Sequence, residues 1–430
     1  MTVSTAAQSA PARPRVVVIG GGFAGIQVAR GLTGADVEVT VVDQHNFHTF
    51  QPLLYQVATA GLEPADVAYP IRTIFRRSDN VSFRHGRVES IDRASRQIVL
   101  ASGARLDYDH LVLATGATAE FFGVTGAAER SLPLYTLADA RQLRNHLLLT
   151  LELRDAESER HAAGITFVVV GAGPTGVETA GAVMELLDIC VRRDRLNIDP
   201  DLSRVVLVDL GTRVLPVFPP SASRYAARVL ERRRVELRLG VSVVEVRGDG
   251  VSLSDGTQIE AAAVIWAAGV SARGTLADDV AHAPGPQGRV RVRPDCSVEG
   301  DEGMWAVGDV AAVLSGEGDT VCPQLAPVAI QSGRHCAQQI INTLSGAPTQ
   351  PFHYRDKGIM ATIGRRAAVA KAPKGPVIRG TLGWLAWLFL HLFYLVGFRN
   401  RVRVLINWAW RYLDWPSGPR LIVADAETED

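Results

Sequence analysis

Two stretches of the chain repeat one pattern: an unbroken apolar, β-branched run, a burst of glycine, and then a helical stretch. The first run, Val16-Val17-Val18-Ile19, has no polar position and suits a strand buried on both faces of a parallel sheet. Gly20-Gly21-Gly22-Phe23-Ala24-Gly25 follows, Ile26 to Leu32 reads as helix, and a second strand from Val37 to Val42 ends in Asp43. The second run is Ile165 to Val170, followed by Gly171-Ala172-Gly173-Pro174-Thr175-Gly176 and a helix beginning near Val177. A further strand, Val205 to Val208, ends in Asp209 after a polar loop that absorbs extra length before Arg204.

Each pattern predicts a dinucleotide site. Gly20, Gly22 and Gly25 fit GxGxxG, as do Gly171, Gly173 and Gly176. The first glycine permits the turn, the second admits a pyrophosphate, and the third lets the helix pack on the strand. Free N–H groups and the helix dipole then favour the anion. Asp43 and Asp209, at strand ends, are placed to accept hydrogen bonds from ribose hydroxyls. An acid there repels a 2′-phosphate, so the second site is expected to prefer NADH to NADPH, with Arg213 softening that preference. Two such folds suggest one bound flavin and one exchangeable nicotinamide. The glycines alone do not say which fold holds which.

The 430 residues are too many for one core and suggest two or three domains. Net charge is zero, so no nucleic-acid partner is expected. Cys190, Cys296, Cys322 and Cys336 lie far apart with no CxxC or CxxxxC pair, which excludes a redox dithiol, a zinc site and a disulfide framework. Residues 1–13 lack the apolar core of a secretory signal and read as a disordered lead.

Further segments carry a resemblance. They are His48-Thr49-Phe50-Gln51-Pro52-Leu53-Leu54, Leu111-Val112-Leu113-Ala114-Thr115-Gly116, the Gly171 loop through Glu178, Met304 to Gly308-Asp309, and Tyr354-Arg355-Asp356-Lys357-Gly358. In order and spacing, over nearly the whole chain from residue 15, they resemble the two-dinucleotide-binding-domain (glutathione-reductase-like) flavoproteins. Within these they resemble the type II NADH:quinone oxidoreductases. The resemblance implies an α/β fold of two Rossmann-like domains, with FAD in the first and NADH in the second, inserted one. FAD and NADH contacts are then expected from Gly20, Gly22, Phe23, Ala24, Gly25, Asp43, Gln51, Pro52, Leu53, Ala114, Thr115 and Gly116. The same is implied for Gly171, Gly173, Pro174, Thr175, Gly176, Asp209, Gly269 (in the return hinge after Trp266), Gly308, Asp309 and Lys357. It places Glu178 beside the nicotinamide and flavin; without it, an acid in a first helical turn simply complements the dipole.

Quinone sites of that family resemble an A-Q-x-A-x-Q stretch opening a helix. Here Ala326-Pro327-Val328-Ala329-Ile330-Gln331 keeps the last glutamine and replaces the first with proline. Pro327 suits a helix start but offers no side-chain amide. Ala326, Pro327, Ala329 and Gln331 are the expected quinone contacts, with Glu178 and Gln331 the catalytic candidates and no metal. A soluble diaphorase and a sulfide:quinone-type enzyme are the alternatives.

The tail predicts a membrane surface. Gly383 to Val396 is apolar all round except His391, and fourteen helical residues span about 21 Å, short of a bilayer core of roughly 30 Å. From about 400 to 414 a second helix sets Asn400, Arg403, Asn407 and Arg411 on one face and Leu405, Trp408, Ala409, Tyr412 and Leu413 on the other. Five of the seven tryptophans fall between 384 and 415, as expected where rings meet headgroups. Ten Lys or Arg and no acid lie between Lys357 and Leu413, the footprint of an anionic surface. His391 reads as a satisfied helix residue. The expected organisation is an FAD domain at 14–120 and 285–345, an NADH domain at 121–284, and a membrane-binding and dimerisation region at 346–430. A homodimer on the cytoplasmic face of the cell membrane, peripheral (monotopic) and moving no protons across it, completes the expectation.

Overall fold

The computed structural model describes residues 13–157, 164–272, 276, 280, 284–316, 320–413 and 420–423. The expected lead at 1–13 therefore lies, but for Arg13, outside the described residues. Five helices matter for function: α1 (Phe23–Gly31), α2 (Pro174–Arg192), α3 (Ala326–Leu344), α4 (Gly380–Tyr394) and α5 (Phe398–Leu413).

Two compact units form. The first comprises Met1–His48, Pro70–Ala117 and Ser271–Arg355; the second comprises Thr49–Tyr69, Thr118–Val270 and Asp356–Asp430. The Thr118–Val270 segment of the second unit is inserted in the first, since the chain leaves at 117 and returns at 271. Packing draws the line differently from the motif-based boundaries: 49–69 and the tail group with the second Rossmann fold.

The first unit is built on a five-stranded sheet ordered Met304–Ala306, His110–Leu113, Arg15–Ile19, Glu38–Asp43, Val81–His85. Every pairing is parallel, with Val18 set between Val41 and Val112. Val16 to Ile19 are buried, as their unbroken apolar run requires. Helices α1 and α3 cross closely because Gly333 has no side chain; a Cβ there would overlap the Ala24 carbonyl.

The second unit repeats the plan. Its parallel sheet runs Leu132–Pro133, Ala263–Trp266, Thr166–Val170, Arg204–Asp209, Val235–Leu239. The tail opens with an antiparallel sheet of Ile359–Gly364, Ala367–Lys371 and Val377–Arg379, which lies between α2 and α4. Gly181 of α2 allows this, since a Cβ there would overlap the Ile363 carbonyl.

The tail helices depart from expectation in which face turns inward. The polar face of α5 is the docked one. Asn400 donates from Nδ2 to the carbonyls of Ala65, Asp66 and Ala68, and Asn407 donates to Asp66 Oδ2 at 2.9 Å. Arg403 approaches Asp66 Oδ1 at 3.2 Å, a charge contact without hydrogen-bond alignment. Trp408, expected on the outer apolar face, is buried and donates to Gln56 Oε1 at 2.9 Å. Trp384 and Trp387 are buried too, so the headgroup role expected for the tryptophans does not hold for them; Trp410 is exposed. The side chains of Arg411, Tyr412 and Leu413, and all of Trp415, lie outside the described residues. What α4 and α5 leave outward is mostly apolar, with Leu382, Leu385, Phe389, Phe393, Phe398, Leu405, Ile406 and Trp410 exposed beside Thr381, Arg399 and Asn407. No described helix is long and apolar enough to cross a membrane.

Asp66 is fully buried and also accepts from the Glu63 N–H at 3.0 Å. Asp66→Ala strands the Asn407 and Arg403 groups, at a cost of about 2–4 kcal/mol. The expected outcome is a lower melting temperature with early proteolytic cleavage within α5; resistance equal to the wild type would contradict this docking.

Candidate functional site

The two glycine loops share one geometry. Gly20 and Gly171 sit at φ +107° and +106°, a conformation that favours glycine. Each amide bonds the neighbouring strand: Gly20 N–H to the Val42 carbonyl and Gly171 N–H to the Val208 carbonyl, both at 2.8 Å. The next amide in each loop is held by the strand-end acid. Gly21 N–H donates to Asp43 Oδ2, and Ala172 N–H to Asp209 Oδ2, each at 2.6 Å. The third glycines are tightest, since a Cβ on Gly25 would overlap the Gly20 carbonyl and one on Gly176 the Gly171 carbonyl. Gly22 and Gly173, at the helix N-caps, face open space, with no atom within 4 Å of where a Cβ would stand. Those amides and that space are what a pyrophosphate needs.

In the first unit other expected residues gather at this loop. The Ala114 carbonyl lies against Gly20, the Ala114 Cβ 3.3 Å from the Gly25 Cβ position, and Gly308 packs on Ala24. Gly116 and Gly308 both take φ +73°. Thr115 Oγ1 is buried without a hydrogen-bond partner among the described residues, as a ligand-directed hydroxyl would be. Gly308 N–H donates to Ser332 Oγ on α3 at 3.2 Å, and Gln324 donates to the Asp309 carbonyl at 2.9 Å. Phe23 meets the His48 ring edge-on at 5.2 Å. His48 Nδ1 lies 2.9 Å from the Gly21 carbonyl, and burial pulls its pKa down to about 4, so the ring stays neutral. Ser332 and Gln324 carry no signal in the sequence, and only proximity in the fold reveals them; His48 opens a segment that carries the resemblance, but its contact with the loop appears only in the fold.

Ala326, Pro327, Ala329 and Gln331 open α3 as expected, with Pro327 in the first turn. Gln331 is differently engaged. Its Nε2 donates to the Arg355 carbonyl and its Oε1 accepts from the Arg355 N–H, each at 3.0 Å. Both ends of the amide therefore hold the segment at 355.

In the second unit, Gln51, Pro52 and Leu53 form a short 3₁₀ turn, with Leu53 buried and Gln51 donating to the Tyr135 carbonyl at 3.2 Å. Pro174 and Thr175 lie in the first turn of α2. Gly269 takes φ +93°, with the Phe122 ring 2.8 Å from its Cβ position. Lys357 is exposed beside Asp356.

Glu178, one turn into α2, lines a narrow cleft with Tyr55, Gln56, Thr59, Thr362, Trp384 and Trp387. It keeps some solvent contact at the cleft mouth but is ringed by protein. Burial pushes its pKa up to about 8, against a 3.1 Å hydrogen bond from the Thr362 N–H and a weaker contact with the Trp387 indole. That indole N–H falls short of hydrogen-bond alignment and has no other hydrogen-bond partner among the described residues. Trp387 stacks on His391 at 3.9 Å, and His391 Nδ1 lies 2.8 Å from the Trp387 carbonyl, so His391 is satisfied within α4. Burial takes its pKa down to about 4. From sequence Trp387 resembled a headgroup residue; its i, i+4 spacing from His391 was the available signal.

Such a pair of matched loops, one per α/β unit and the second inserted in the first, defines a two-dinucleotide-fold oxidoreductase. A family profile described as pyridine nucleotide-disulphide oxidoreductase matches residues 14–333, and one described as NDH2 C-terminal domain matches 357–414. Type II NADH:quinone oxidoreductase Ndh of Mycobacterium tuberculosis is 39% identical over 97% of this chain and 92% of the relative. NdhA of that organism is 38% identical over 99% and 93%. The chain belongs to the type II NADH:quinone oxidoreductases. In fold it is similar to NDH2 from Plasmodium falciparum, solved in complex with NADH, with TM-score 0.85 and 17% identity over 95% of this chain and 100% of that one. A sulfide:quinone oxidoreductase from Aquifex aeolicus matches at TM-score 0.72 and 17% identity, over 96% of each chain.

The two kinds of glycine separate binding from folding. Gly22→Ala is expected to leave the melting temperature of ligand-free protein nearly unchanged while its dinucleotide content falls. Gly25→Ala is expected to lower the melting temperature itself, by an overpacking cost of about 1–3 kcal/mol. Equal melting losses in both would refute the distinction.

Proposed function

We propose that this protein oxidises NADH and passes two electrons to a quinone at a membrane surface, moving no protons across it. The observation that carries the reading is the matched pair of acid-clamped glycine loops in a chain of this family. The Gly20 loop with Asp43, Thr115 and Asp309 is the FAD site; the Gly171 loop with Pro174, Thr175 and Asp209 takes NADH. The buried, unpartnered Thr115 hydroxyl and the open space over Gly22 fit a bound FAD. When bound, FAD supplies the two-electron chemistry, accepting a hydride from NADH and reducing the quinone.

The protein's own residues bind and orient. The loop amides and helix N-termini hold the two pyrophosphates. Asp209 selects a free 2′-hydroxyl. Glu178, neutral below about pH 8, holds a proton for the reduced quinone. Ala326, Pro327, Ala329 and Gln331 border the quinone. Because the Gln331 amide is committed to Arg355, its part there is to shape the wall rather than to bind a carbonyl oxygen. The outward apolar faces of α4 and α5 rest in the cytoplasmic leaflet of the cell membrane, and two copies pair to present them together. The sulfide-type alternative is not favoured: the four cysteines are buried and free, and burial raises the thiol pKa of each.

Under anaerobic conditions NADH is expected to bleach the oxidised-flavin absorbance much faster than NADPH, and a soluble quinone analogue to restore it. Bleaching without restoration would refute the quinone half. Glu178→Gln is expected to slow quinone turnover more than flavin binding. Wild-type turnover should fall above about pH 8 while the variant stays low and flat. Stability gives a second readout. Between the ordinary carboxyl value of 4.5 and about 8, the folded protein holds a proton that the unfolded chain has released. Stability therefore falls as pH rises through that window. Glu178→Gln should flatten this part of the melting profile, and an unchanged slope would exclude Glu178 as its source.

A further inference from the structure

An arginine-lined cleft of about 690 Å³ opens in the second unit where three segments converge. Arg192 and Arg193 come from the end of α2, Arg233 and Arg234 from the end of the helix Pro220–Arg232, and Arg365 and Arg366 from the turn after the strand Ile359–Gly364. Cations at two helix C-termini have an ordinary explanation in the helix dipoles. That explanation does not reach the turn. Arg366 takes φ +59°, a conformation that turn chemistry assigns to glycine or asparagine, and Arg234 takes +64°.

Among the described residues that line the cleft the acids are Glu185 and Asp188, and Asp201 approaches Arg192 at 3.7 Å from outside it; together they hold arginines in place rather than neutralise all six. Glu185 Oε1 accepts from Arg233 Nη1 at 2.5 Å and from the Arg365 N–H at 2.6 Å. Arg233 Nη2 donates to the Arg365 carbonyl at 2.8 Å. Asp188 pairs with Arg192 at 3.4 Å and with Arg234. Arg193 and Arg366 are exposed and make no ion pair among the described residues. A braced wall of guanidinium forks with excess positive charge matches the planar, bidentate recognition of phosphate oxygens.

The cleft's surroundings bear on where such a phosphate comes from. The strand that follows the turn, Ala367–Lys371, packs on the start of α4, with the Ala368 carbonyl 3.1 Å from the Gly383 Cβ position. The first large apolar residues that α4 turns outward there are Leu382 and Leu385, after the exposed Thr381. A phosphate bound in the cleft would thus sit near the apolar face expected to meet lipid.

We propose that this cleft binds a phosphate group, and that the group it takes is the headgroup phosphate of an anionic phospholipid. A soluble polyphosphate has the same chemistry, and the test separates the two sources.

The variant is Arg193→Ala with Arg366→Gly, because glycine suits the +59° turn and so preserves the fold. The control is Arg87→Ala with Arg105→Ala, an equal loss of charge on the first unit. Co-sedimentation of the full chain is measured with phosphatidylcholine vesicles, with and without phosphatidylglycerol. Pyrophosphate is titrated in detergent, with the melting temperature as readout. The expected result is a roughly tenfold loss of partition to phosphatidylglycerol vesicles in the variant, a smaller loss in the control, and no change on pure phosphatidylcholine. If pyrophosphate raises the melting temperature of the wild type but not the variant, while vesicle partition is equal, the phosphate site stands and the lipid source is wrong. Variant and control alike in both assays would overturn the proposal.

Discussion

A missing side chain at Gly25, repeated at Gly176, is the constraint on which both halves of this protein depend. In each loop the helix starts so close to the end of the first strand that a single carbon would strike the carbonyl of the first glycine. That closeness aims the free amides of the helix N-terminus at one point. The strand-end acids then fix the loop from the other side by accepting its second amide. The acid expected to read a ribose therefore also holds the loop's shape. A substitution at Asp43 or Asp209 would disturb two things at once, so lost affinity there cannot be read as a lost ribose contact alone.

Both loops were legible because they rest on local rules. A β-branched run, glycines at fixed offsets and an acid at the end of the next strand, about twenty residues on in the first loop and beyond a longer polar connection in the second, fall within one βαβ unit, where chain connectivity leaves little freedom. The resemblance carried further, to Ala114–Gly116 and Gly308–Asp309, because order and spacing along a chain survive when individual residues are unremarkable. Ser332 and Gln324 were not legible. Each acts through a single hydrogen bond to the backbone at 308–309, and nothing in a serine or a glutamine announces such a partner. Gln331 shows the opposite failure, since a motif match singled out an amide whose two ends are already engaged by Arg355.

The tail was misjudged for a reason that generalises. A helical wheel sorts residues by polarity and assumes that polar faces meet water. In α5 Asn400 and Asn407 of the polar face meet Asp66 and the carbonyls at 65–68 instead, and Trp408 of the apolar face meets Gln56. Those groups lie more than three hundred residues earlier in the chain, and the fully buried Asp66 needs partners that water cannot supply. The wheel placed Trp408 with the outward apolar residues although it is docked, and it could not say what either face touches.

This inverted docking resolves a conflict that any surface-bound helix faces. A helix that docks on its protein through apolar contacts has spent the surface it would offer to lipid. Docking largely through hydrogen bonds, each with a net value of about 1 kcal/mol, with Val404 and Trp408 as its buried apolar residues, leaves most of the apolar side outward. The arrangement also gives the tail a second duty. The cleft around Glu178 is lined by Tyr55, Gln56 and Thr59 on one side and by Thr362 and Trp387 of the tail on the other, so part of the burial that raises the Glu178 pKa comes from the same segment that carries the exposed apolar face. Loosening α4 would let water reach Glu178 and lower its pKa toward the ordinary carboxyl value. The protonation of a group deep in the second unit is in this way tied to how firmly the tail is held.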